Sequence, residues 1–388
     1  MGFLERNYLR KEHLDGFDNY KYSAVDNSPL SKWVMHPFWN AVVKICPEWV
    51  APNLLTFVGF LFTAGNWVML GYYDYYYYAS SEGHSHIPNW VWLVCAINHF
   101  LAHTLDGIDG KQARKTQSST PLGELFDHGL DSWTSFFIPA VLYSVFGRVE
   151  HTISVLRLYF CLINVLFTFL SSHWEKYNTG VLFLPWGYDV SQLCTLIIYL
   201  VTFSAGYEFW KFTLPGGITA GACFELMMWG GSLLTSLPVT FYNMYRAHRD
   251  GTGKNRTFWE GMRPLVCPFM FFSMTTLWVL ASPTNILEAD PRCYTFMVGI
   301  VFSNICCQLI VAQMSNTRCE IFNWLLIPVG VAVASALLLP SSWHLELPIL
   351  YSLTAFTFLA HVHYGVCLVR QMCRHLNIWC FRLKQRKD

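Results

Sequence analysis

Ten stretches of this chain are apolar over about the 20 residues that a helix needs to cross the hydrocarbon core of a bilayer. They fall at 53–72, 89–110, 122–146, 151–172, 189–206, 218–240, 264–282, 294–314, 321–340 and 347–369. Lipid offers no hydrogen-bond partner, so each backbone N–H and C=O must be satisfied within the protein, and apolar runs of this length dictate helices. The expected fold class is all-α: a polytopic membrane protein with ten transmembrane helices. Composition agrees, since only 13% of the 388 residues are charged and 53% are hydrophobic. A net charge of +1 gives no global basic field, so nucleic acid is excluded as a partner.

With ten spans, both termini lie on one side. Of the 26 Lys and Arg, 22 then share that side, and only Arg148, Arg157, Lys211 and Arg292 face the other. The excess of positive charge marks the cytosol, so both termini are expected there. Residues 1–50 read as a cytosolic arm with an interfacial amphipathic helix around 31–46. Residues 51–245 carry spans 1–6, the expected catalytic core. A cytosolic loop follows at 246–263, then spans 7–10 at 264–370 and a basic cytosolic tail at 371–388. The 13 cysteines include no CxxC pair and read as small apolar packing residues.

Acidic residues interrupt this pattern where spans 2 and 3 meet. Asp106 and Asp109 are spaced i, i+3 and share a helix face, as do Asp127 and Asp131 at i, i+4. The stretch 117–122, with Pro121, is expected to fold the two spans into an antiparallel hairpin that gathers the four carboxylates at the cytosolic ends. Only Lys111, Arg114 and Lys115 stand nearby to offset five acids, counting Glu124, so a ligand-free network of paired charges is a poor explanation. Oxygen ligands select hard cations, which points to two Mg²⁺ or Mn²⁺ ions about 3.5–4 Å apart, suited to displacement at phosphorus. Gly107 and Gly110 leave room beside the acids for a phosphate, and Arg114 is placed to clamp it. The alternative from another class is an ion transporter. Transport, however, favours acids spread over several spans or near the midplane.

The spacing Asp-x2-Asp-Gly-x2-Ala-Arg-x8-Gly-x3-Asp-x3-Asp is met by Asp106, Asp109, Gly110, Ala113, Arg114, Gly123, Asp127 and Asp131, eight fixed positions across 26 residues. It resembles the signature of the CDP-alcohol phosphotransferases. Segments such as YKYSAVD, APNLLTF, SHWEKYNTG and LFLPWGYD are most similar to the ethanolamine-using branch of that family. The resemblance implies the ten-span fold of the family and transfer of phosphoethanolamine from CDP-ethanolamine to diacylglycerol, giving phosphatidylethanolamine and CMP. It also implies a homodimer in the endoplasmic reticulum or Golgi membrane. Asp106, Asp109, Asp127 and Asp131 would hold the two metal ions and Arg114 the phosphates. Vertebrate members of the branch carry a selenocysteine in a C-terminal extension, and the sequence ends at Asp388 without one. CDP-choline, or both donors, is the alternative within the family. Polyprenyl transferases also use Asp clusters with Mg²⁺, but the Gly, Ala and Arg set between these acids argues against them.

A glycerol hydroxyl needs a base before it can attack. His128 follows a metal-ligand candidate directly, and an imidazole titrates near working pH. Asp131 is the alternative, although a carboxylate shared between cations is a weak base. Glu124, one turn before His128, is expected either to orient that imidazole or to join the substrate contacts. Asn53, in Pro52-Asn53-Leu54-Leu55-Thr56, reads as a helix N-cap, and the resemblance implies a nucleotide contact there; both can hold. The expected substrate contacts are thus Asn53, Gly107, Gly110, Ala113, Arg114, Gly123 and Glu124. Trp174-Glu175-Lys176-Tyr177 offers aromatic and charged groups to a headgroup ammonium, without choosing ethanolamine over choline.

Overall fold

The computed structural model describes residues 5–383, so the first four residues of the expected arm and the last five of the expected tail lie outside the described residues. The arm contains α1 (Lys11–Asp18) and α2 (His36–Ile45), the second entered through a π-helical turn at Ser31–Met35. There follow α3 (Pro52–Tyr73), α4 (Asn89–Lys115), α5 (Pro121–Phe146), α6 (Val155–Thr179) and α7 (Gly187–Ala205). Next come α8 (Ala220–Gly230), a π-turn at Gly231–Ser236, α9 (Leu237–Arg249) and α10 (Phe258–Ala281). The short α11 (Ile286–Ala289) leads to α12 (Pro291–Ser315), α13 (Leu326–Leu338) and α14 (Glu346–Leu376). Among the described residues, strand structure amounts to two small ladders. In one, β1 (Ala24–Val25) lies parallel to β2 (Leu182–Phe183); in the other, β3 (Thr213–Leu214) lies antiparallel to β4 (Ile218–Thr219).

All ten expected apolar stretches fall on helical structure, but seven helices are long and apolar enough to cross a membrane: α3, α4, α6, α7, α10, α12 and α14. The other three depart for separate reasons. Glu124, Asp127, His128 and Asp131 lower the hydropathy of α5, although its 26 residues suffice in length. The stretch Ala220–Arg249 is broken by its π-turn. Helix α13 has 13 residues, and at about 1.5 Å per residue it reaches about 20 Å, short of the bilayer core. The chain is nevertheless an all-helical, multi-pass membrane protein.

Helix α12 is the axis of the bundle, buried on nearly every side, as an all-round apolar helix must be. Helices α5, α6, α14 and α1 pack against it. Close approach to α5 depends on Gly299, where a Cβ would overlap the ring of Phe136. The arm is part of this core: Phe17 is fully buried, and Gly16 lies directly on the backbone of Ser315. Gln371 Oε1 on α14 accepts from the backbone N–H groups of Tyr8 (2.7 Å) and Leu9 (3.1 Å). All 13 cysteines are free thiols.

The expected hairpin takes a different form. Helix α3 packs against both α4 and α5, which therefore do not make a closely packed pair of their own. Gly59 allows this wedge, since a Cβ there would stand 3.2 Å from the carbonyl oxygen of Ala102. The connection between the acidic helices is also shorter than expected. Pro121 occupies the first position of α5, and the Thr120 side chain caps the helix by accepting from the N–H of Gly123 at 3.3 Å.

Candidate functional site

The last turns of α4 and the first turns of α5 bring the four expected acids together. One carboxylate oxygen from each of Asp106, Asp109 and Asp127 lies within 4.8 Å of the others. Asp127, His128 and Asp131 make a second group within the same limit, so Asp127 belongs to both. Two flanking helices fix the carboxylates. Thr56 Oγ1 of α3 donates to Asp109 Oδ2 at 2.6 Å, and Tyr188 Oη of α7 donates to Asp106 Oδ2 at 3.1 Å. The backbone N–H of Gly110 donates to the other oxygen of Asp109.

Asp127 Oδ1 is buried and has no hydrogen-bond partner among the described residues. A buried carboxylate oxygen without a donor, in a group of four acids, calls for a cation. The donor set is all carboxylate apart from one imidazole, which fits Mg²⁺ or Mn²⁺.

His128 is buried, with Nδ1 3.9 Å from Asp127 Oδ2 and 3.7 Å from Asp131 Oδ2. Its expected partner Glu124 is engaged elsewhere. Lys176 Nζ of α6 donates to Glu124 Oε1 at 2.5 Å, and the Tyr20 hydroxyl donates to Oε2. The side chains of Lys176 and Glu124 are 2% and 4% exposed, and a carboxylate so buried takes a full opposite charge in preference to an imidazole. Lys176 Nζ also lies 5.6 Å from the ring centre of Tyr20 and 4.8 Å from that of Tyr22. Burial first, then the negative charge of Glu124, pushes the Tyr20 phenol above its ordinary range and keeps it a donor.

Asn53 is not the helix cap. Ala51 holds that position and Pro52 the next, because the fixed φ of proline suits a first helical residue. Asn53 lies in the first turn, buried, with Nδ2 3.9 Å from Cys380 Sγ and Oδ1 facing Gly123 of α5. Gly107 leaves no opening for a phosphate, because the indole of Trp39 on α2 fills the space that a Cβ would occupy. At Gly110 the nearest group is Arg114 Nη1, 3.6 Å from where a Cβ would stand. Ala113 is half-buried and Arg114 exposed. Lys111 donates to Asn40 Oδ1, and Lys115 to the carbonyls of Val43 and Cys46, so both secure α2. Of the three, Arg114 alone makes no side-chain hydrogen bond among the described residues.

The tetrapeptide at the end of α6 is committed to packing. Trp174 Nε1 donates to the carbonyl of Gly261, Glu175 accepts from Thr240 and Asn243, and Tyr177 Oη accepts from the N–H of Cys319. Several neighbours of the acids escaped the sequence reading: Thr56, His103, Tyr188, Asp189, Tyr20 and His173. His103 had a signal, lying one turn before Asp106; its Nε2 is 3.2 Å from Asp189 Oδ1. Tyr20 and His173 lie in the YKYSAVD and SHWEKYNTG segments, but only the tertiary fold brings them to α5.

A narrow cleft opens between α3, α4, α5 and α7. Asp106, Asp131 and Tyr188 line one part of it, and Phe60, Ala102, Leu130 and Ile138 supply an apolar wall. An anionic group held near the acids and an apolar molecule lying along the helices can therefore meet in one place.

Residues 49–230, which include this whole acidic group, match the family model described as CDP-alcohol phosphatidyltransferase. The chain is 50% identical to Ethanolaminephosphotransferase 1 of Mus musculus, over 97% of its length and 95% of that protein. It is 30% identical to Cholinephosphotransferase 1 of Xenopus laevis, over 97% of the chain and 90% of the relative. With Choline/ethanolaminephosphotransferase 1 of Arabidopsis thaliana it shares 28% identity, over 98% of the chain and 99% of the relative.

Proposed function

The chain belongs to the CDP-alcohol phosphatidyltransferase family and is an enzyme of phospholipid synthesis, and from that premise we propose that it transfers phosphoethanolamine from CDP-ethanolamine to the hydroxyl of diacylglycerol, giving phosphatidylethanolamine and CMP. The reading rests on the two overlapping groups of acids that share Asp127 beside a cleft with one apolar wall. The choice of ethanolamine rests on the 50% identity to the mouse relative.

Asp106, Asp109, Asp127 and Asp131 would hold two divalent cations, Mg²⁺ or Mn²⁺, which when bound neutralise the diphosphate and the departing CMP. Thr56 and Tyr188 keep two of these carboxylates in fixed rotamers. Arg114, exposed and unengaged, binds the phosphates with its planar fork. Asn53, Gly110, Ala113 and Gly123 form the nucleotide side of the site, and Glu124 anchors the start of α5 through Lys176. His128 removes the proton from the glycerol hydroxyl, with Asp131 the alternative base. The freed alkoxide oxygen bonds to the phosphorus that carries ethanolamine, the bond from that phosphorus to the CMP oxygen breaks, and CMP leaves with the electron pair.

The acidic group and both termini face the cytosol, where a water-soluble CDP-alcohol enters. Diacylglycerol arrives sideways along the cleft, and residues 51–245 act as the catalytic core. The enzyme works as a homodimer in the endoplasmic reticulum or Golgi membrane. The deciding experiment compares CMP release from CDP-ethanolamine and CDP-choline by purified protein in detergent, with Mg²⁺ and diacylglycerol. A strong preference for ethanolamine is expected. Equal use of both makes this a dual-donor enzyme, and ion flux without CMP release makes it a transporter.

A further inference from the structure

The inner edge of His128 has no part in the scheme above, yet a base working through one imidazole nitrogen must keep its proton on the other. His128 Nδ1 faces Asp127 and Asp131, whereas Nε2 is buried with no partner among the described residues. A buried N–H at that position needs an acceptor. The ring of His173 of α6, 2% exposed, packs beside that of His128, with the two ring centres 5.1 Å apart and the planes at 66°. On its far side His173 Nδ1 lies 3.1 Å from the amide nitrogen of Gln313 on α12, and Gln313 Oε1 is itself buried without a donor. Amide oxygen and nitrogen exchange places when the side chain turns over about its last bond. With Gln313 turned, Oε1 accepts from His173 Nδ1–H, which leaves His173 Nε2 with its lone pair free to accept.

We propose that His173 is a positioning residue for the transfer reaction: His128 Nε2–H donates to His173, His173 Nδ1–H donates to Gln313 Oε1, and the His128 Nδ1 lone pair is thereby held toward the acids and the reacting hydroxyl. A base oriented by a second group, itself oriented by a third, is a recurrent solution for activating a hydroxyl. The relay crosses three helices, α5, α6 and α12, so the imidazole is fixed to the axis of the bundle. The inference rests on His128 being the base.

The test follows CMP release by the purified full chain in detergent, with CDP-ethanolamine, diacylglycerol and Mg²⁺. His173→Phe keeps the ring and removes both nitrogens; kcat should fall about 10- to 100-fold, the range seen when a partner orienting a reactive group is lost, with the KM for CDP-ethanolamine little changed. His173→Gln, which restores an acceptor, should recover part of the loss. Gln313→Glu keeps the acceptor and should retain activity, whereas Gln313→Met should behave like His173→Phe. An unchanged kcat in His173→Phe overturns the proposal, as does Gln313→Glu being slower than Gln313→Met. If His173→Phe does not fold, the Gln313 pair decides alone. His128→Ala separates the two claims: full activity there removes the base assignment itself, whereas an inactive His128→Ala beside a normal His173→Phe removes only the relay.

Discussion

Thr56 of α3 donates a 2.6 Å hydrogen bond to Asp109 of α4, across the contact that keeps the two acidic helices apart. With the Gly110 N–H on its other oxygen, Asp109 has both oxygens directed. Helix α3 therefore sets the geometry of the acidic group as much as the helices that carry the acids.

Thr56→Val keeps the shape of the side chain and removes this donor. The Mg²⁺ concentration for half-maximal CMP release should rise about 10- to 100-fold, because a freed carboxylate rotates out of place. An unchanged metal requirement would show that Thr56 does not orient Asp109.

Asp127→Asn should abolish turnover and leave the protein folded in the membrane, since Asp127 belongs to both groups of acids. Removing one of four crowded negative charges also relieves repulsion. In EDTA its melting temperature should therefore equal or exceed that of the wild type. Full activity in this variant would sink the two-metal assignment.

Lys176→Met strands Glu124 as an unpaired buried charge and should lower stability by about 3–5 kcal/mol. The double variant Lys176→Met with Glu124→Gln should be more stable than Lys176→Met alone, because no charge is left unpaired. Thermal unfolding in detergent reads both, and a double variant no more stable than Lys176→Met would mean that the pair is not coupled.

Gly107→Ala drives a methyl group into Trp39 and should cost about 1–3 kcal/mol. Trp39→Leu, which shortens the opposing side chain, should recover much of that loss in the double variant. A raised KM for CDP-ethanolamine at unchanged melting temperature would instead assign Gly107 to ligand binding.

The Tyr20 phenol, raised by burial and by Glu124, ties the arm to α5 only while protonated. A phenol whose folded pKa exceeds its unfolded value contributes stability that is complete below about pH 10 and is lost as pH rises above it. The melting temperature should fall above that pH more steeply in the wild type than in Tyr20→Phe. Parallel curves would assign the alkaline loss to other groups.

The acids were legible because metal ligation at one helix end imposes local spacings, i, i+3 and i, i+4, that need no tertiary knowledge. The partners of those acids were not. Nothing in the sequence pairs Glu124 with Lys176 rather than His128; that choice follows from mutual burial, which only the folded bundle produces. The glycines misled in an instructive way. Gly107 and Gly110 have the same spacing relation to the acids, but one faces an indole and the other a guanidinium. Apolar length placed all ten stretches on helical structure, and seven of those helices are long and apolar enough to cross a membrane by themselves; the acids of α5 and the π-turn after α8 take two of the others below that measure.

The arm lies against both ends of the chain's history. Tyr8, whose backbone is held by a residue 363 positions later, leaves the ribosome long before its seat on α14 is made. Tyr20 and Tyr22, by contrast, meet Glu124 of α5 and Lys176 of α6, which are made far earlier than α14. The arm is thus anchored at two times in synthesis, and a chain interrupted before α14 lacks the seat of Tyr8 but keeps the partners of Tyr20.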